Sequence, residues 1–175
     1  MITRPGLAAP LLTALVLSGT AWAQRGDDSD RVSKNGGAEG TVDGVSVVLD
    51  YGRPEVRERE IWGGLVPWGE VWRTGANEAT TIELGADVLV EGESLPAGRY
   101  GLFTIPGEGE WTIIFNRVAD QWGAFDYDAA EDALRVTVEP QAAEHVEALD
   151  FEVGDDGIVL RWEEVAVPVS IAAAS

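Results

Sequence analysis

Arg53, Arg57, Arg59 and Arg73 concentrate positive charge in one stretch of a chain that carries only 12 Lys and Arg against 31 Asp and Glu. A planar guanidinium captures a carboxylate or phosphate through two parallel hydrogen bonds. Arg73 is the best single anchor because Trp72 and Asn77 flank it. The competing reading is an internal brace, with Arg73 paired to Glu70 or Glu78, since buried arginines usually have carboxylate partners. Asn77 and Glu78 follow Gly75 and offer an amide and a carboxylate that could hydrogen-bond a sugar or peptide, or else cap the loop. Indoles add stacking faces. Trp111 and Trp162 lie in strand patterns and read as core, whereas Trp68 and Trp122 sit in loops beside glycine and read as the more exposed pair. The ligand-binding candidates are therefore Arg53, Trp68, Arg73, Asn77, Glu78 and Trp122.

Other chemistries find little support. With no cysteine there is no disulfide framework, thiolate metal site or cysteine nucleophile, and a single histidine makes a multi-histidine zinc site improbable. That histidine, His145, lies among acidic residues and reads as a surface group. No serine occupies a Gly-x-Ser-x-Gly elbow, and neither a phosphate-cradling glycine loop nor an H-E-x-x-H motif is present. Asp126, Asp128, Glu131 and Asp132 resemble a calcium loop only in spacing. They lack its central glycine and closing glutamate and read as a solvated turn. Carboxylates such as Glu78 and Asp132 could form a hydrolytic pair, but sequence cannot select two from 31 acids. Neither a metal nor a cofactor is expected, and the catalytic residues of any enzyme reading are unknown.

The net charge of −19 repels phosphate backbones and argues against nucleic-acid binding. Lys34 is the one lysine, and so acid-rich a chain suits strong salt, which screens self-repulsion. Residues 1–23 have the layout of a secretory signal: Arg4, an apolar run over Leu7–Gly19, and Ala21-Trp22-Ala23 before Gln24. The apolar run is too short to span a bilayer, so the expected address is the periplasm or exterior, without a membrane span after signal removal. Residues 24–40 are polar and glycine-rich and read as a flexible lead-in.

From Thr41 the chain reads as strands that would carry these side chains. Alternation marks Val45–Tyr51, Thr80–Leu84, Val88–Glu91, Arg99–Ile105, Trp111–Asn116, Leu134–Val138, Leu149–Val153 and Ile158–Trp162. Asp155-Asp156-Gly157 is a hairpin turn. The apolar phase slips from even to odd positions at Glu163-Glu164, which predicts a bulge before Val165–Ile171. Short helical turns are expected near Arg59–Leu65, Glu70–Arg73 and Ala129–Ala133. The class is all-β, an antiparallel β-sandwich of jelly-roll or immunoglobulin-like kind, spanning residues 41–171. Residues 51–81 break the alternation over a length unusual for a loop. Trp62, Trp68, Trp72, Ile61, Leu65 and Val66 would be costly to leave in water, so this segment should fold back as an ordered cap.

The same segment carries recognisable words: Tyr51-Gly52-Arg53-Pro54, Trp62-Gly63-Gly64-Leu65-Val66-Pro67, and Val71 through Thr81 (VWRTGANEATT). Together with Leu95–Pro106 and Asp120–Phe125 they resemble the bacterial family called domain of unknown function 2911, over roughly residues 42–169. Trp68 stands where the resemblance implies tyrosine. The resemblance implies an exported β-rich protein and supplies no activity. The leading expectation is a non-catalytic ligand-binding or accessory domain for a small molecule, saccharide or peptide-derived ligand with an anionic group. The alternatives are a carboxylate-dependent hydrolase acting on saccharide or envelope material, and a structural protein that forms a homodimer through the cap.

Overall fold

Strict alternation in a chain puts every second side chain on one face, and two such faces can close on each other without water. The computed structural model describes residues 25–174 and shows that outcome. Its strands are β1 (Lys34–Val42), β2 (Val45–Arg53), β3 (Thr80–Leu84), β4 (Val88–Val90), β5 (Glu93–Leu95), β6 (Gly98–Ile105), β7 (Trp111–Asn116), β8 (Asp132–Val138), β9 (Gln141–Gly154) and β10 (Gly157–Ala173). They form a six-stranded sheet in the order β1-β2-β3-β6-β7-β8 and a four-stranded sheet in the order β5-β4-β10-β9. Every strand pairing is antiparallel. One core joins inward residues of both sheets, Leu49, Ile82 and Ile113 from the first and Val88, Leu149 and Leu160 from the second. No helix among the described residues is long and apolar enough to cross a membrane.

The phase slip has a local cause. Pairing between β9 and β10 is irregular on both sides of Glu163, whose φ of 55° turns the strand over. Trp162 is consequently buried at an even position while Val167, Val169 and Ile171 are buried at odd ones. Of the expected helical turns, only Ala129–Glu131 winds, as a 3-10 turn capped by the Asp128 side chain. The stretch near 59–65 is a non-helical turn closed by the Trp62–Val66 bridge, and 70–73 carries the bridge from Trp72 to Thr104.

The lead-in of 24–40 needs correction from Arg25 onward. Lys34–Val42 is a sheet-edge strand, paired with β2 from Lys34↔Arg53 to Val42↔Val45, and Arg25 is buried. Glycines hide this strand from a periodicity reading because close neighbours leave no room for side chains. A Cβ on Gly40 would lie 2.8 Å from the Val153 side chain, and one on Gly36 would lie 2.7 Å from the Tyr51 ring. The export signal expected over 1–23 lies outside the described residues.

The cap is anchored at both ends and along its length. At its root, Val56 N–H donates to Glu147 O at 2.8 Å and Leu149 N–H donates to Pro54 O at 2.9 Å. Farther along, Trp72 and Thr104 exchange two backbone hydrogen bonds of 2.8 and 2.9 Å. Trp62 meets Trp111 edge-on at 4.9 Å and Trp162 at 5.6 Å, while Trp72 stacks on Trp162 at 5.8 Å. Aromatic pairs of this kind add about 0.5–1.5 kcal/mol each beyond their burial. Gly52 lets the end of the cap come down on β2: a Cβ there would lie 2.1 Å from Ala76 O.

Candidate functional site

Arg73 leaves the cap between Trp72, which the Thr104 ladder fixes, and Thr74, a fully buried residue with φ of 56°. A β-branched residue in the left-handed region is strained and persists only where its surroundings over-determine it. Here they do. Thr80 N–H donates to Arg73 O at 3.1 Å, Thr80 Oγ1 donates to Thr74 O at 2.8 Å, and Thr74 Oγ1 lies 3.2 Å from Thr104 Oγ1. Arg57, Glu58 and Asn77 also take positive φ (49°, 55° and 64°), so the strained non-glycine backbone gathers in this cap.

The Arg73 side chain enters a cleft of about 190 Å³ whose wall includes Arg57, Arg59, Leu65, Trp72 and Trp162. Its Nε is buried without a hydrogen-bond partner, and among the described residues no carboxylate pairs with it. Burial therefore pulls its pKa below the ordinary value with no carboxylate to pull it back. Arg57 is neutralised by Glu55 at 2.8 Å. Arg59 donates from Nε to Val56 O at 3.1 Å and from Nη2 to Glu55 O. The cleft thus holds a half-buried cation with an unpartnered Nε beside a second guanidinium that meets only carbonyl oxygens, with apolar walls between.

Neither expected brace for Arg73 forms. Glu78 is claimed by the N-terminal segment: Arg31 grips it with Nη1 to Oε2 at 2.6 Å and Nη2 to Oε1 at 2.8 Å, and Arg25 Nη1 stands 3.4 Å from Oε2. Burial works against ionising Glu78, but the Arg31 fork, the backbone and Arg25 outweigh it and hold its pKa below 4.5. Asn77 Nδ2 donates to Ser33 O at 3.1 Å. Arg53 Nε donates to Leu149 O at 3.1 Å, and its Nη2 lies 3.5 Å from Asp150.

The two loop indoles are exposed, Trp68 at 38% and Trp122 at 57%, whereas Trp111 and Trp162 are 1% exposed. Trp68 stacks on Trp62 at 6.4 Å. Trp122 bridges to the Glu78 backbone near exposed Phe125. Neither lines the Arg73 cleft. The structure therefore divides the candidates: Asn77, Glu78 and Trp122 gather beside the N-terminal segment, while Arg73 faces Arg57 and Arg59.

Asp132, the other carboxylate of the hydrolase alternative, is equally committed. It accepts from Tyr127 Oη at 2.6 Å, Arg135 Nε at 2.6 Å and Asn116 Nδ2 at 2.9 Å. Burial, followed by the hydrogen bond to Asp132, pushes the Tyr127 hydroxyl up to about 12. A carboxylate already engaged by three donors has little capacity left to meet a substrate. His145 Nε2 lies 3.3 Å from Glu147 on the surface. Among the described residues no group of three or more His, Cys, Asp or Glu could hold a metal ion.

Sequence reasoning overlooked Arg25 and Arg31, because nothing local in a polar, acid-rich stretch marks partners about fifty residues away. Arg57 and Arg59 were visible as part of the cationic excess. Their meeting with Arg73 depends on how the cap folds.

No curated protein matches the chain, and no solved structure does. A family model does match, over residues 33–171, which takes in β1 as well as the cap and all later strands. With most of its length matched, the chain belongs to the bacterial domain family described as "Protein of unknown function (DUF2911)".

Proposed function

We propose that this protein is an exported, non-catalytic ligand-binding or accessory domain, and that its ligand is a small saccharide- or peptide-derived molecule whose anionic group is held by Arg73. The observation that carries this reading is the guanidinium itself. Arg73 is half-buried with its Nε unpartnered and has no carboxylate partner among the described residues, although the chain holds 31 acidic residues that could have supplied one. A buried donor left unpaired on a half-buried cation lowers stability, and such a group at the wall of a cleft is a candidate for use. Strain at Thr74, Arg57 and Glu58 supports the same reading, because strained backbone clusters where groups are pre-positioned. The apolar wall supplied by Leu65, Trp72 and Trp162 suits a ligand with an apolar body behind its charge. Trp72 and Trp162 present little free ring face, so sugar stacking is not the main contact.

Titration calorimetry against uronic acids, short peptides with free C-terminal carboxylates and inorganic phosphate tests the reading. Binding by the wild-type chain that disappears in a folded Arg73→Met variant is the expected result. Ligand binding that survives in that variant removes the site from Arg73.

A further inference from the structure

A second cavity, of about 150 Å³, opens between the end of β2, the residues leading into β3 and the loop at 119–121. Arg25 fills its floor. The guanidinium meets five acceptors: Asp50 Oδ1 lies 2.6 Å from Nε, Asp50 O 3.0 Å and Ala79 O 2.7 Å from Nη2, and Glu78 O 3.3 Å and Glu78 Oε2 3.4 Å from Nη1. The side chain is 4% exposed and its Asp50 partner 7%. A guanidinium carries five N–H donors in one plane, so the number of acceptors matches the number of donors. Three of the acceptors are main-chain carbonyls whose residues are fixed independently of Arg25: Asp50 by its ladder with Thr81, Glu78 by its bridge to Trp122, and Ala79 by its N–H donating to Gln121 O at 2.9 Å. A flat fork fits such an array, and a tetrahedral ammonium does not.

The segment that delivers Arg25 is attached as a peptide ligand would be. From Arg25 to Ser33 its one apolar side chain is Val32, which is 72% exposed. The remaining anchors are polar: the Arg31 fork on Glu78, the Asn77 hydrogen bond to Ser33 O, Arg57 on Val32 O, and the donors of Lys34 and Asn35 at the start of β1 on Gly26, Asp28 and Ser29. We propose that Asp50, Glu78 and the carbonyls of Asp50, Glu78 and Ala79 form a guanidinium-binding socket. The N-terminal strap is its tethered ligand, and an arginine side chain presented by a separate peptide can take the same place. Filling the socket also shapes the Arg73 cleft, because Val32 and Ser33 form part of that cleft's wall and Arg57 Nη2 reaches Val32 O at 3.5 Å. The socket stands on its own contacts and does not depend on what Arg73 binds.

Chemical rescue of the full chain tests the proposal. Arg25→Ala empties the socket and lowers Tm, and millimolar ethylguanidinium restores at least half of the loss. Ethylammonium and urea at the same concentrations restore none. A synthetic peptide of residues 24–33 restores Tm at a lower concentration than ethylguanidinium, and the same peptide carrying Arg25→Ala does not. Equal rescue by ethylammonium, or no response to ethylguanidinium or the peptide, overturns the proposal. If Arg25→Ala does not fold alone, refolding yield replaces Tm as the readout: a yield raised by ethylguanidinium and not by ethylammonium supports the socket, and any other pattern overturns it. Asp50→Asn in the otherwise native chain gives a second measurement. Trypsin cuts after Arg31 about tenfold faster than in the wild type if the socket holds the strap closed, and an unchanged rate refutes the assignment.

Discussion

Replacing Arg73 by methionine separates ligand anchor from brace, because the two roles predict opposite signs for the stability change. Methionine keeps an unbranched chain of similar reach against Trp72 and Trp162 and removes the charge. Arg73 Nε is a buried donor without a partner, a condition that costs about 1–3 kcal/mol. No carboxylate loses its counter-ion in the exchange, because none is paired with Arg73 among the described residues. The variant should therefore gain about 1–3 kcal/mol. At about 2–4 °C per kcal/mol for a domain of this size, Tm rises by roughly 2–12 °C. Alanine is the wrong probe, since it also deletes the aliphatic stem that packs in the cleft wall. Differential scanning calorimetry without ligand reads the sign, and titration calorimetry on the same sample reads binding. A methionine variant that melts below the wild type refutes the reasoning, because it would mean that Arg73 braces the cap.

The remaining expectations use the same contacts. Glu78 has a folded pKa below 4.5, so the folded state binds fewer protons there than the unfolded state. Its contribution is complete above that value and is lost as pH falls through the folded pKa. Asp50, pushed up from 3.8 by burial against the pull of Arg25, acts in the opposite sense, so the comparison must be made against Glu78→Gln. The wild type should lose Tm faster than that variant below pH 4.5, and parallel melting curves would show that Arg31 does not hold the strap. Gly52→Ala forces a Cβ to within 2.1 Å of Ala76 O and should cost about 1–3 kcal/mol in urea unfolding; a neutral result would mean that the cap can lift from β2. Trp111→Ala should cost about 3–5 kcal/mol, while Trp122→Ala at its exposed site should stay within about 0.5 kcal/mol, both read from the same urea curves. Tm should rise between dilute buffer and molar salt, because the charge of −19 repels itself less when screened, and a flat response would mean that acidity plays no part in salt tolerance.

The strands were legible wherever burial is one-sided. Val45, Val47, Leu49 and Tyr51 face inward because β2 has a partner sheet on one side, and the Glu163 irregularity could be anticipated because both apolar phases had to reach the core. β1 was not legible. Its glycines answer to Val153 and to the Tyr51 and Arg53 side chains, neighbours supplied by other strands. The first half of β9 escaped for a related reason: Gln141, Ala142, Glu144 and His145 are exposed, so no alternation marks them. In the candidate site, residue types were readable and partners were not. Nothing near Glu78 in sequence points to Arg31, and the proximity of Glu70 and Glu78 to Arg73 suggested pairs that do not form.

The contrast between Arg25 and Arg73 shows how the fold assigns work to its cations. Arg25 is buried and Arg73 half-buried, and burial pulls both pKa values down. Arg25 is compensated by Asp50, Glu78 and three carbonyls, so its removal strands a buried carboxylate. Arg73 is compensated by nothing on its own chain among the described residues, so its removal strands nothing. An acid-rich chain could have neutralised Arg73 with a single carboxylate in the cleft wall. Glu55 stands there already and pairs with Arg57 instead. Leaving Arg73 and Arg59 without carboxylate partners beside the Arg57–Glu55 pair keeps the cleft net positive within a strongly negative molecule, which is the electrostatic condition for drawing an anion to this spot.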